Sequence, residues 1–118
     1  MSYSTTAFNN DPEKANRPGI LYVIVLVNKK TFERECVKIG ITKGRSFKDA
    51  NKRAKGFDGY EIRIQKLVKG TLEEVYNLEQ ALHREFAYAS YLPKQAFGGK
   101  TECFDINILS SVLKYIKE

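Results

Sequence analysis

The chain of 118 residues has the length of one domain, and 42% hydrophobic with 29% charged residues is the composition of a globular protein. Its net charge of +6 favours a polyanionic partner, although many basic proteins bind nothing anionic. No apolar run has the length of a signal peptide or a membrane span, which excludes a membrane partner and predicts a cytoplasmic protein.

The first part of the chain predicts an arm followed by a hairpin of two strands. Residues 1–19 are polar and end in a proline-glycine pair that favours a turn, so we expect a flexible N-terminal arm there and a single domain over residues 20–118. The apolar, β-branched run at residues 20–27 predicts a buried strand. Residues 36–41 predict a second strand that returns beside the first one after a short turn.

The middle of the chain predicts a helix, a strand and a second helix. A Ser-x-x-Asp capping signature opens a helix over residues 46–55, which a glycine ends. Apolar and polar residues alternate over residues 60–64, as in a half-buried strand. The capping signature formed by Thr71 and Glu74 opens the longest helix, which is expected to reach about Tyr88.

The last part of the chain predicts a loop, a short strand and a final helix. Proline and glycine residues indicate the loop at 89–101, a short strand follows at 102–104, and Asp105 or Asn107 caps the helix. The predicted fold class is therefore α+β, with a small central antiparallel sheet of about three strands flanked by helices.

One charged residue lies at the edge of the apolar face of the long predicted helix. Glu79 projects about 20° from Phe86, which belongs to the stripe that faces the core. A carboxylate at that position is partly removed from water and needs a cation, which can be an arginine, a lysine or a metal ion. His83 projects one turn further on the same side, and we interpret it as a packed or hydrogen-bonded residue.

Basic residues are concentrated in and before the first predicted helix. Between Lys43 and Lys55 there are six basic residues and one acidic residue. Arg53 flanks the packed side of the helix, where its planar guanidinium suits a phosphate or a carboxylate. The remaining basic side chains form a surface that we expect to bind nucleic acid: Lys43, Arg45, Lys48, Lys52 and Lys55.

Four features of the sequence occur in an order that resembles the GIY-YIG nuclease superfamily. They are Leu21-Tyr22, Lys38-Ile39-Gly40, Arg53 and the helix residue Glu79. The likeness is greatest to the phage-associated branch, in which the second motif commonly is Lys-Ile-Gly. It spans residues 20–105, although Ile20 stands in place of the first motif's glycine and Lys38 in place of the second motif's tyrosine.

The resemblance implies a metal-dependent endonuclease that hydrolyses phosphodiester bonds, with DNA favoured over RNA as the substrate. It implies one divalent ion, Mg²⁺ or Mn²⁺, held by Glu79. Tyr22 would orient or deprotonate the attacking water, and Arg53 would stabilise the charge that develops at phosphorus. Lys38 would assist by favouring the tyrosinate form or by contacting the phosphate.

The resemblance leaves alternatives open. His83 and Glu102 are expected to contact the catalytic residues and help to position them, without contacting the substrate. The same fold without catalysis would be a binding or regulatory module for nucleic acid, and a third alternative is a small α+β protein whose basic surface binds a protein. A second copy of the chain or a protein partner is also compatible with the sequence. If the chain is phage-encoded, its place is the cytoplasm of the host cell.

Overall fold

The computed structural model describes residues 12–44, 59–94 and 103–117. Its elements in chain order are α1 (Pro12–Asn16), β1 (Pro18–Asn28), β2 (Arg34–Lys43), β3 (Tyr60–Thr71), α2 (Leu72–Glu85), β4 (Cys103–Asp105) and α3 (Leu109–Lys117). Short 3₁₀ helices at Ala87–Ala89 and Ile106–Ile108 follow α2 and β4.

The four strands form one antiparallel sheet in the order β3-β1-β2-β4. The predicted α+β class and the hairpin of β1 and β2 are therefore confirmed. The sequence predicted a sheet of about three strands and a short further strand at 102–104; the fourth strand, β4, is found at Cys103–Asp105 and pairs with the segment from Cys36 to Lys38 of β2. Three residues are too few to show a period of alternation, so this strand could be indicated only weakly by sequence.

The sheet separates two apolar clusters because successive strand side chains point to opposite faces. On what we call the helix face, alternate residues of β1 and β2 pack against α2 and α3 through Val75, Leu82, Phe86 and Val112. We call the opposite side of the sheet face B. The residues of β1 on face B are Tyr22, Ile24 and Leu26. They pack with Cys36, Tyr60 and Cys103.

Helix α2 begins as the sequence predicts. The Thr71 hydroxyl accepts a hydrogen bond from the Glu74 amide at 3.1 Å, and the Thr71 amide donates to the Glu74 carboxylate at 2.8 Å. This reciprocal pair satisfies amides that have no partner within a helix. The hydrogen bonds from the backbone and side chain of Thr71 hold the pKa of Glu74 below its ordinary value. The helix ends at Glu85, earlier than the expected Tyr88, and the 3₁₀ turn follows.

Residues 12–19 differ from the flexible arm that the sequence predicted. Residues 12–16 form α1, in which Ala15 is buried against the helix-face cluster. Pro18 and Gly19 do not form a turn but begin β1, because they pair with Thr71 and Gly70 of β3. Proline is tolerated as the first residue of a strand. The rest of the predicted arm and the helix predicted over residues 46–55 lie outside the described residues.

Candidate functional site

Tyr22 and Lys38 lie together on face B of the sheet. Each side chain is only 2% exposed. Lys38 is paired with Ile24 and is therefore diagonal to Tyr22, and its Nζ lies 5.9 Å from the centroid of the tyrosine ring. This distance is within the range of a cation–π contact. A lysine in a strand usually points into solvent, so a buried lysine against a buried tyrosine is a feature that packing alone does not require.

Gly40 allows the tyrosine to take this position. Tyr22 and Gly40 are direct partners across β1 and β2. A Cβ atom placed on Gly40 would lie 2.5 Å from the Tyr22 hydroxyl oxygen and 2.6 Å from Cζ. The end of the ring therefore lies over a residue without a side chain, with the hydroxyl directly above Gly40. Gly40 belongs to the Lys-Ile-Gly motif noted in the sequence, and this close approach is a physical reason for a glycine there.

Among the described residues, the outer edge of β2 beyond Lys38 is uncovered by any further strand. β4 pairs with β2 only as far as Lys38, so the segment from Ile39 to Lys43 pairs with β1 on its inner side and with no described strand on its outer side. His83 of α2 contacts this edge through Nε2, which donates to the Ile39 carbonyl oxygen at 3.1 Å. Its ring also packs edge-on against Phe104, with the ring centroids 5.2 Å apart. These contacts hold α2 beside the edge of β2.

The course of α2 places Glu79 along the same edge. The helix begins beside the end of β2, because Leu72 contacts the backbone at Gly19 and Gly19 pairs with Lys43. It has reached Ile39 by His83. Glu79 is one turn before His83 and therefore falls between these two points, beside the uncovered segment of β2.

The carboxylate of Glu79 is buried, as the helical projection predicted. The residue is 7% exposed, and Gln80 donates a hydrogen bond from Nε2 to Oε1 at 3.3 Å. Tyr22 thus lies over β2 on face B, and Glu79 belongs to the helix that packs against the opposite face of the sheet. We call this arrangement the strand-edge site and define it by Tyr22, Lys38, Gly40 and Glu79.

The donors in the strand-edge site restrict the kind of metal ion that it could hold. Within the described ranges, no group of three or more histidine, cysteine, aspartate or glutamate side chains is placed to bind a metal. A single carboxylate fits a hard ion such as Mg²⁺, which keeps several water ligands and binds substrate phosphates. It does not fit a structural zinc site, which needs four protein ligands.

One of the remaining predicted site residues lies within the described part of the chain, and six lie outside it. Lys43 is described, and it is exposed at the end of β2 next to the uncovered edge. The others lie outside the described residues: Arg45, Lys48, Lys52, Arg53, Lys55 and Glu102.

A second polar cluster, centred on Glu35, was missed by the sequence analysis. Its carboxylate accepts hydrogen bonds from Asn28 Nδ2 at 2.8 Å, from the Tyr60 hydroxyl at 2.7 Å and from the Lys94 amide at 2.9 Å. Tyr91 also donates to it. Burial raises the pKa of Glu35, but the hydrogen bonds outweigh burial and the pKa lies below its ordinary value. An asparagine at a turn was the one sequence signal for this cluster.

The two cysteines are buried on neighbouring strands and form no disulfide. The hydrogen bond between Cys36 and Cys103, together with burial, raises the pKa of the Cys36 thiol. A thiol of this kind remains protonated at neutral pH and is a poor nucleophile. Among the described residues, the strand-edge site is therefore a better candidate for a catalytic site than the two cysteines.

The fold and this site define a small α+β domain with a buried tyrosine–lysine pair and a helix glutamate at one strand edge. The chain belongs to the T5orf172 domain family, whose model matches residues 19–118. This phage-associated family occurs in the context of GIY-YIG/HNH-like endonucleases and is associated with nuclease-like and nucleic-acid-binding functions. Searches of curated proteins and of solved structures returned no significant match. Among the described residues, no helix is long and apolar enough to cross a membrane.

Proposed function

We propose that the protein is a metal-dependent endonuclease of the GIY-YIG type that hydrolyses phosphodiester bonds, with DNA as its substrate. The observation that carries the proposal is the strand-edge site, in which a buried tyrosine–lysine pair lies over Gly40 of β2 and a buried glutamate lies on the helix that packs against the same sheet. Membership of a family found in the context of endonucleases supports it independently. Charged side chains such as Lys38 and Glu79 are rarely buried in a core of this size, which favours a functional role for them.

Tyr22 and Lys38 would act on the attacking water. The tyrosine hydroxyl lies over Gly40 in the strand-edge site, and it would orient the water or take its proton. The ammonium of Lys38, 5.9 Å from the tyrosine ring centroid, favours the anionic form of the phenol and attracts phosphate. Because Lys38 is only 2% exposed and packs against this ring, its ammonium group does not act as a mobile surface charge.

Glu79 would hold the metal ion, Mg²⁺ or Mn²⁺. Bound there, the ion would stabilise negative charge on the leaving oxygen of the phosphodiester. Arg53 would stabilise the charge on the phosphoryl oxygens, a role that its guanidinium fork suits and that rests on its place in the sequence pattern. The four residues proposed to be catalytic are therefore Tyr22, Lys38, Arg53 and Glu79.

Plasmid nicking tests the proposal. Purified protein is incubated with supercoiled DNA and Mg²⁺ or Mn²⁺, and the wild type is compared with Glu79→Ala and Arg53→Ala. We expect nicking that requires the divalent ion and that both substitutions reduce by at least about 10²-fold, the scale measured when one group that stabilises a transition state is removed. Glu73→Ala is the matched control, because Glu73 is an exposed glutamate on the same helix.

The outcomes separate the proposal from its main alternative. Nicking by Glu73→Ala but not by Glu79→Ala assigns the activity to the strand-edge site. If the folded wild type binds DNA in a salt-sensitive manner but never cleaves it, the proposal is wrong, and the protein is a binding module on a nuclease fold. Nicking that survives Glu79→Ala would instead place the activity elsewhere.

A further inference from the structure

The tip of the hairpin between β1 and β2 presents an exposed aromatic ring. Phe32 is 83% exposed, the highest value among the large apolar side chains of the described residues, ahead of Tyr88 at 78% and Leu92 at 71%. Its φ angle is +62°, the left-handed conformation that glycine and asparagine adopt more readily than a bulky residue does. Both packing and backbone preference therefore disfavour phenylalanine here, and such residues cluster at functional positions.

The turn that carries Phe32 is tightly held by Asn28. The Asn28 carbonyl oxygen accepts from the Phe32 amide at 2.7 Å, and the Asn28 amide donates to the Glu33 carbonyl oxygen at 2.9 Å. The side-chain oxygen of Asn28 accepts from the amides of Lys30 and Thr31, at 2.8 and 3.2 Å. The chain on both sides of the phenylalanine is thus fixed to one residue at the end of β1.

Glu35 fixes the orientation of Asn28 itself. Its carboxylate accepts from Asn28 Nδ2, which turns the amide oxygen of Asn28 towards the turn. Glu35 is in turn held by Tyr60 and by the Lys94 amide. The ring of Phe32 is therefore presented by a preorganised structure, which lowers the conformational cost of inserting it into a partner.

The charged side chains around the Phe32 ring are mostly basic, which favours a negatively charged partner. The exposed tip from residue 29 to residue 34 contains three basic side chains and one acidic one. The basic ones are Lys29, Lys30 and Arg34. An exposed aromatic ring among cations suits a stacked base flanked by phosphates, and aromatic or aliphatic wedges between base steps are a recognised way of binding and bending DNA.

We propose that the hairpin tip is a nucleic-acid contact in which Phe32 stacks on a base and the neighbouring cations bind the flanking phosphates. The inference deepens the proposed function and rests on it in taking DNA as the partner. Asn28 is six residues beyond Tyr22 along β1, so the tip lies about 20 Å from the strand-edge site. That distance equals about six base-pair steps, so the tip anchors the substrate away from the bond that is cut.

Binding measurements without a divalent metal test the tip separately from cleavage. The probes are a fluorescently labelled DNA duplex and the matching single strand, measured by anisotropy at several salt concentrations. We expect Phe32→Ala to weaken binding about tenfold or more without changing the salt dependence, because it removes stacking and no charge. Lys30→Ala should reduce the slope of log K against log salt by about one. Phe32→Trp should retain affinity, and Thr31→Ala is the neutral control in the same turn.

A base analogue reports the contact directly. A duplex carrying 2-aminopurine should change fluorescence on binding the wild type and Phe32→Trp, but not on binding Phe32→Ala. Equal affinity of the wild type and Phe32→Ala would overturn the proposal and leave the tip as a contact for a protein. Preference for the single strand or the duplex tells whether the ring stacks on an unpaired base or enters between paired ones, and either result supports stacking.

The two proposals fail in different ways. If the wild type nicks DNA while Phe32→Ala binds normally, the tip proposal is wrong and the nuclease proposal stands. If Phe32→Ala loses affinity while the wild type cleaves nothing, the reverse holds. Absence of any DNA binding by the folded protein overturns both. Thermal unfolding of each variant shows whether it is folded, and Phe32→Gly, which suits a positive φ angle, provides a second ring-less variant.

Discussion

Gly40 determines where the Tyr22 hydroxyl can lie in this protein. Glycine costs stability within a strand, yet here it lies in the middle of β2 because the ring of its cross-strand partner Tyr22 occupies the space of a side chain. The phenolic oxygen would be 2.5 Å from a Cβ atom at this position. The position of the hydroxyl is therefore coupled to the absence of a single methyl group.

We predict that Gly40→Ala reduces nicking by about 10²-fold while the protein remains folded, since displacing a reacting group by about 1 Å costs that much. The methyl group must push the end of the tyrosine ring away from this position. Plasmid nicking and thermal unfolding are measured together. Gly70→Ala is the matched control, because a Cβ atom there would meet nothing closer than Glu74 Oε1 at 3.3 Å, with Glu74 Cβ and Val75 Cγ1 at 3.5 and 3.7 Å.

Coupling between the two positions provides the decisive comparison. If Gly40→Ala acts by moving the hydroxyl, then Tyr22→Phe and the double variant should lose similar activity, because the group has already been removed. Losses that multiply in the double variant would contradict this account. So would a Gly40→Ala protein with the activity of the wild type.

At the scale of elements, Glu35 joins parts of the fold that are distant in sequence. It lies at the start of β2 and accepts hydrogen bonds from the end of β1, the start of β3 and the segment that follows α2. Its ionised form is favoured by these donors despite burial, so its pKa is lowered. Tyr91 shows the complementary effect, since burial and the nearby carboxylate raise its pKa to about 12.

We predict that Glu35→Gln lowers the free energy of unfolding at pH 7 by about 1–3 kcal/mol, the cost of leaving buried donors without an acceptor. Because the pKa of Glu35 is lower folded than unfolded, its contribution is present above the unfolded pKa and is lost as the pH falls through the folded pKa. Urea unfolding at pH 7 and at about pH 3 should therefore show the wild type and the variant converging in acid. Glu33→Gln, an exposed neighbour in the same hairpin, should match the wild type at both pH values. A constant difference across this range would contradict the assignment.

The elements that the sequence predicted well are those with a local signal. The capping residues Thr71 and Glu74 mark the start of α2, and the β-branched run marks β1, because both patterns depend on near neighbours. The short strand β4 and the entry of Pro18 into β1 depend on pairing with distant strands, which leaves no periodic trace. The burial of Lys38 is of the same kind, since it follows from a tyrosine on another strand.

The sequence predicted the burial of one candidate site residue, Glu79, but not the geometry around it. The helical projection correctly predicted a buried Glu79, since burial of a helix face follows from period alone. That the edge of β2 beyond Lys38 stays uncovered follows from the length of β4, which the sequence does not limit. The cluster around Glu35 and the exposed ring of Phe32 have no local pattern, because each depends on how a turn is closed.

At the scale of the whole molecule, a net charge of +6 gives a general attraction to nucleic acid, but only some of the charges are placed to bind it. Lys43 is exposed at the end of β2, beside the strand-edge site. Lys117 is also exposed but ends α3, a different element. The two lysines contribute equally to the net charge. Substituting each one therefore distinguishes the effect of a lysine's position on DNA binding from the effect of the net charge.

We predict that Lys43→Ala weakens DNA binding and reduces the slope of log K against log salt by about one, because one phosphate contact and its released counterion are lost. Lys117→Ala should change neither quantity measurably at moderate ionic strength, where charges further than about 10 Å from the DNA are screened. The measurement is anisotropy with one duplex over a range of salt concentrations, without divalent metal. Equal effects of the two substitutions would mean that the molecule attracts DNA through its overall charge. An effect of Lys43 alone would mean that DNA lies near the end of β2 that carries Lys43, beside the strand-edge site.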